Sequence, residues 1–229
     1  LTYSKHQSDV LKEKYSGKTV YTIPLPLIGF GDAVEVPKVE RFTKFLFFGN
    51  ILHYKGLDIL LKSVGRLSKT HSNFKLVIAG RSNDWAETYA PLIAEDANIE
   101  AHIGFIENDD IPGYFADADY LVLPYRDTTQ SGPLMIAYNY NTPILASNAE
   151  GFKEFFKDGE SGYSYDQQIP NDIDRVLVEA IERSNKEYIE IKQRQAEYVE
   201  DHFSVEGLSN AYELMFDKVA GKRLIPSKI

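Results

Sequence analysis

The chain has 229 residues, 43% of them hydrophobic and 26% charged, with a net charge of −9 and a pI near 5.1. That is room for one large domain, or a domain and part of another, and the acidic balance excludes a broad nucleic-acid surface, which needs a basic field to displace phosphate counterions. Cysteine is absent and the five histidines are scattered, so no disulfide framework or metal site is legible, and no apolar run approaches the roughly 18 residues of a membrane helix.

Leu1 to Ser4 reads as a strand end and a helix N-cap. The sequence thus begins inside a pattern, with Leu in first place, and a piece of a longer protein is expected. Residues 4–15 predict a short amphipathic helix closed by Ser16-Gly17. Residues 18–24, rich in Thr, Val, Tyr and Ile, predict a strand. Residues 25–43 hold two prolines, two glycines and mixed charge and read as a linker and domain boundary.

A regular series follows. KFLFFG (44–49) predicts a strand, and residues 55–68 a helix with Leu57, Leu60, Leu61, Val64 and Leu67 at helical spacing. FKLVIA (74–79) predicts a strand ended by Gly80, then come a helix over 84–95, a strand over 99–103 and a short helix over 108–116. The strand 120–124, a helix through Tyr140 and the strand 143–147 continue the alternation. A short helix over 151–157 and a short strand over 161–165 end it. Beyond Ile169 the pattern is helical only, over about 171–184, 186–202 and 205–220, with a basic tail at 221–229.

Strands without polar alternation, separated by helices, imply a doubly wound α/β fold: a parallel sheet covered on both faces. A ligand then sits beyond the C-terminal strand ends, at the switch point. The turns there are Gly49-Asn50, Gly80-Arg81, Gly104-Phe105, 125–132 and 148–151. The stretch Thr128 to Tyr138 stands out, because Ser131 and Gly132 fall where a helix begins. Unpaired amides and a positive dipole end suit a diphosphate; the same residues also suit an ordinary capped helix.

At the first turn, Gly49 permits close backbone approach. Lys55 reads either as a mobile charge for a phosphate or as a solvated lysine at a helix start. Arg81 suits bidentate phosphate contact or plain exposure. Phe105 taken alone reads as core, and with Ile106 as an apolar wall for a flat base. His53 and His102 read as structural. Glu154 suits sugar hydroxyls or a helix cap. The first turn lacks G-x-G-x-x-G, so a nicotinamide dinucleotide is poorly supported.

The segments KFLFFGNILHYKGLDILLKSVGRL, FKLVIAGR and HIGFIENDDIPGYFADADYLVLPYRDTTQSGPLMIAYNYNTPILASNAEGFKEFFKDGESGYSY, in this order, resemble the C-terminal domain of glycosyltransferase family 4. The resemblance implies the GT-B fold: two Rossmann-like domains, the C-terminal one holding a nucleotide-sugar donor. Residues 1–24 then resemble the end of the acceptor domain, 25–43 the linker, 44–204 the donor domain, and 205–229 the helix and tail that cross back. The implied activity is retaining hexosyl transfer from a nucleotide-sugar to a glycan or lipid-linked acceptor, as in polysaccharide biosynthesis. The donor is a substrate, and no cofactor or metal is called for. The implied setting is cytoplasmic, at the inner membrane face if the absent domain makes a peripheral membrane contact. This chain alone is expected to be inactive without that domain in cis.

By position, Lys55 resembles the basic residue that neutralises the diphosphate, with Gly49 beside it, Ile106 near the base, and Ser131, Gly132, Pro133 and Leu134 in the loop facing phosphate and sugar. Three departures stand against the family pattern. Asn50 occupies a usual arginine position. Thr128 and Ile136 occupy, without gaps, the positions of two glutamates eight apart. An isoleucine cannot accept a hydrogen bond from ribose, so Thr128, Gln130 or Ser131 takes over donor recognition in this reading. The alternatives are a GT-B nucleotide-sugar epimerase and a non-catalytic nucleotide-sugar-binding domain.

Overall fold

Six strands form one parallel sheet: β1 Thr43–Phe48, β2 Phe74–Gly80, β3 Ile99–Ile103, β4 Tyr120–Leu123, β5 Ile144–Ser147 and β6 Tyr163–Tyr165. Their spatial order is β3-β2-β1-β4-β5-β6, every neighbouring pair parallel. The chain winds outward from β1 in one direction and from β4 in the other, so the switch point lies between β1 and β4. This is the doubly wound α/β sheet that the alternation predicts. The computed structural model describes residues 1–34, 42–93 and 98–221. Most of the second half of the expected linker, the end of the helix expected over 84–95, and the tail from 222 lie outside them.

Successive strand residues point to opposite faces. Phe45, Phe47, Leu76, Ile78, Tyr120 and Val122 pack with the helices α2 (Leu57–Leu67) and α6 (Asp172–Glu182). Leu46, Phe48, Ala79, Leu121 and Leu123 pack with α4 (Ile111–Asp117), α5 (Gly132–Asn139) and α7 (Asn185–Phe203) on the other face. With both faces covered, the central strands β1, β2, β4 and β5 are largely apolar and their runs continuous, whereas the edge strand β3 carries Glu100 and His102 and is only half-buried.

Several expected elements differ. Residues 18–24 form no strand: Thr22 makes one isolated parallel bridge to Thr2, since a β-rich composition supplies no pairing partner. The described part of the helix expected over 84–95 is a π-helical turn, Trp85–Tyr89, running into the short α3, Ala90–Ile93. In place of a helix over 151–157 stands a 3-10 turn, Glu150–Phe152. Lys55 does not open α2. It closes a separate 3-10 turn, His53–Lys55, and α2 begins at Leu57 after Gly56.

The N-terminal helix α1 (Lys5–Lys14) and the last helix α8 (Val205–Val219) complete the described chain. Leu208 and Met215 of α8 pack with Ile23, beside Tyr21 and Tyr212. Residues 25–34 are laid along the sheet domain: Leu25, Leu27, Ile28 and Phe30 pack on the α5-side core. The Ile28 amide donates to the Met135 carbonyl at 3.5 Å, and the Phe30 amide donates to Tyr140 Oη at 2.8 Å. No helix among the described residues is long and apolar enough to cross a membrane.

Candidate functional site

The C-terminal ends of β1, β2 and β3 are laced together by backbone bonds. The Gly49 amide donates to Ala79 O at 2.8 Å, Ile51 to Arg81 O at 2.7 Å, and Gly104 to Gly80 O at 3.1 Å. Gly80 has φ +152, and a Cβ there would overlap the Gly49 carbonyl. Only glycine therefore lets the turn after β1 fold over the tip of β2.

The 3-10 turn then drops Lys55 into the crease. Its side chain is 7% exposed, not solvated as a lysine at a helix start would be. A Cβ on Gly49 would lie 3.3 Å from Lys55 Nζ and 3.6 Å from a Pro133 ring carbon. Nζ stands 5.7 Å from the centre of the Tyr125 ring. Among the described residues it has no ion-pair or hydrogen-bond partner, burial being the sole cause of its shift. Burial disfavours the charged form and pulls its pKa from 10.5 down to about 8.

The turn after β4 supplies the facing wall. Tyr125 is buried, its carbonyl accepts from Ser147 Oγ at 2.5 Å, and burial pushes its phenol well above the usual range, so it stays neutral. Ser131 caps α5: its Oγ accepts from the Leu134 amide at 3.3 Å and lies 3.5 Å from Tyr125 Oη. Lys55 and Ser131 thus flank one tyrosine, at the switch point. Pro133 in the first turn of α5 carries no N–H. With the Leu134 amide occupied, Ser131 and Gly132 hold the amides of this turn that have no protein acceptor among the described residues. Thr128 is buried and its Oγ1 donates to Gln130 O at 2.8 Å. Gln130 Oε1 is buried with no partner.

Further out, Arg81 and Phe105 face each other at the tips of β2 and β3, the guanidinium carbon 4.5 Å from the ring centre. Phe105 is 59% exposed, against the expectation of core, because it stands past Gly104, beyond the helical cover. Ile106 packs half-buried at the edge of the core, and Asn50 is exposed. Ile136 is buried within the α5-side core. Glu154 caps a helix: its carboxylate accepts from the Lys5 amide at 2.6 Å and the His6 amide at 3.0 Å, at the start of α1. His102 is tied at both ring nitrogens, to Tyr114 Oη at 2.6 Å and Glu100 Oε1 at 2.8 Å. Among the described residues no group of three His, Asp or Glu could hold a metal ion.

Sequence reasoning passed over Arg126 and Asp58. Arg126 donates through Nη1 to His53 O at 2.7 Å, through Nη2 to Asp58 Oδ2 at 2.8 Å, and through its amide to Tyr54 O at 2.7 Å. The available signal was a charged residue two positions past Pro124, inside the strand–turn–helix unit.

Residues 32–200 match the family described as Glycosyl transferases group 1. An uncharacterized glycosyltransferase of Haemophilus influenzae is 26% identical over 171 residues, 73% of this chain and 47% of that protein. A lipopolysaccharide 1,2-N-acetylglucosaminetransferase of Salmonella typhimurium is 26% identical over 190 residues, 76% of this chain and 48% of that protein. The chain spans about half the length of these curated relatives. A mutant of S. aureus TarM, solved in complex with fondaparinux, alpha-GlcNAc-glycerol and UDP, shares the fold. The TM-score is 0.74 at 15% identity, over 94% of this chain and 43% of that one. The family match runs through all six strands and the described crease between them, and the chain belongs to the group 1 glycosyl transferases.

Proposed function

We propose that the intact protein is a family 4 glycosyltransferase that moves a sugar, with retention of configuration, from a nucleotide-sugar to a glycan or lipid-linked acceptor. Residues 44–204 are its donor domain, and an acceptor domain ends in residues 1–24. The observation that carries this reading is the buried, unpaired ammonium of Lys55 beside the capped start of α5. A largely desolvated cation without a counter-charge is unfavourable unless an anion arrives. The diphosphate of a nucleotide-sugar is such an anion.

In the reaction the bond from the anomeric carbon to the diphosphate oxygen breaks and a bond to an acceptor oxygen forms. The developing charge on the leaving diphosphate is met by Lys55 and by the Ser131 and Gly132 amides, with Arg81 at the rim. Gly49 lets the phosphates approach the backbone. Phe105 and Ile106 wall the base. Asn50, Thr128, Gln130 and Pro133 are assigned to the donor crease, whereas Leu134 is wholly buried in the α5-side core with its amide on Ser131 Oγ, and backs the turn from behind. In the intact protein, Lys55→Ala lowers transfer by about 100-fold or more, the range for removing one charge-stabilising donor, with the fold intact by circular dichroism. Near-normal turnover in that variant removes the reading.

A second reading is a non-catalytic nucleotide-sugar-binding domain. It is favoured by the Thr128 hydroxyl being engaged within its own turn and by the burial of Ile136, where the family pattern has carboxylates. Calorimetry with UDP-, GDP- and ADP-sugars followed by an acceptor assay separates the two: binding without release of nucleoside diphosphate supports the second.

A further inference from the structure

We propose that Arg126, oriented by Asp58, is a positioning residue that pins the turn His53–Lys55 and so holds Lys55 in the crease. The inference rests on the role given to Lys55 above and adds the device that keeps it there.

Three bonds from Arg126 converge on this turn and on the helix behind it. Two reach consecutive carbonyls, His53 O at 2.7 Å and Tyr54 O at 2.7 Å. The third reaches Asp58, in the first turn of α2, at 2.8 Å. Lys55 is the next residue after those two carbonyls, and Gly56 behind it packs so closely on the Pro124 carbonyl that a Cβ would overlap it. The turn after β1 is therefore fastened from both ends to the segment after β4. Arg126 is held in turn by Asp58, whose carboxylate burial pushes up but which Arg126, through its bond and its field, together with Lys62 and a backbone bond, holds below the usual range, so that it stays ionised.

The need for a fastening is physical. A four-carbon side chain with an unpaired buried ammonium lowers its free energy by swinging out to water, and lysine has the rotamers to do so. Lys55 stays beside Gly49 and Tyr125 because the backbone on which it stands is not free to turn. Arg66 offers a comparison. It makes an equally short pair with Asp174, at 2.7 and 2.6 Å, but joins α2 to α6 and touches nothing in the Lys55 turn.

The test uses the intact protein and two readouts. The first needs no ligand: acylation rates of individual lysines, followed by mass spectrometry from pH 6 to 11, give the titration of Lys55. Apart from Tyr125, a neutral phenol, no titratable group contacts its ammonium among the described residues. The second is calorimetric titration with UDP, GDP and ADP. In wild type Lys55 titrates near the value set by its burial and reacts slowly. In Arg126→Gln its midpoint moves up toward the ordinary lysine range and its reactivity rises. Affinity for the diphosphate that wild type binds falls by about 10-fold to 100-fold, as expected for a displaced binding group. Arg126→Lys, which keeps charge but loses the fork, gives an intermediate shift and serves if the glutamine variant does not fold. Arg66→Gln lowers the melting temperature and moves neither readout. An unchanged Lys55 midpoint in both Arg126 variants overturns the proposal. Unchanged nucleotide affinity in Lys55→Ala overturns the reading beneath it instead.

Discussion

At the scale of single residues, Lys55 carries a cost that can be measured. Its folded pKa, about 8, lies below the 10.5 of an open lysine. Between those values the unfolded chain holds a proton that the folded chain has lost, so this group makes stability rise with pH from about 8 to 10.5. Below pH 8 the full penalty for burying the ammonium is present. Lys55→Met therefore stabilises the protein at pH 7 by on the order of 2–3 kcal/mol, and the gain vanishes by pH 10.5; urea unfolding at the two pH values checks both statements. Ile136→Glu acts the other way. It places an acid in a closed apolar core and lowers stability by about 2–5 kcal/mol, read as a fall in melting temperature. The residue types at the site were legible from strand-end glycines and from Ser131 at a helix start. The burial of Lys55 was not, because it depends on a 3-10 turn that no periodicity announces. Nor was the exposure of Phe105, which depends on where the helical cover stops.

At the scale of elements, the crease exists because turns from different strands approach within backbone contact. Gly80→Ala puts a methyl group against the Gly49 carbonyl in a conformation that favours glycine. It should cost about 2–4 kcal/mol and loosen the Gly49 turn, so thermal stability and nucleotide affinity fall together. The sheet itself could be read in advance. KFLFFG, FKLVIA and YLVL are apolar but for Lys44 and Lys75 because helices cover both faces, and Leu57, Leu60, Leu61, Val64 and Leu67 mark the buried side of α2 at helical spacing. The failures share one cause. Residues 18–24 have the composition of a strand and residues 151–157 that of a helix, but each element also needs a partner. Thr22 meets only Thr2, and the segment after Gly151 turns early to bring Glu154 to α1.

At the scale of the whole molecule, the N-terminal residues are tied to the sheet domain by directed contacts as well as by the chain. Glu154 caps α1 with one carboxylate oxygen on each of two amides, a favourable charge for a helix N-terminus. Glu154→Ala should cost about 1 kcal/mol and speed amide hydrogen exchange in α1, while exchange in β1, β2 and β4 stays at its wild-type rate. The second tie is the strip 25–34, bonded to the Met135 carbonyl and to Tyr140 Oη, both in the segment that begins at Ser131. The strip thus moors the first 24 residues to the middle and rear of α5, so that helix is shared ground between the N-terminal residues and the crease at its front end.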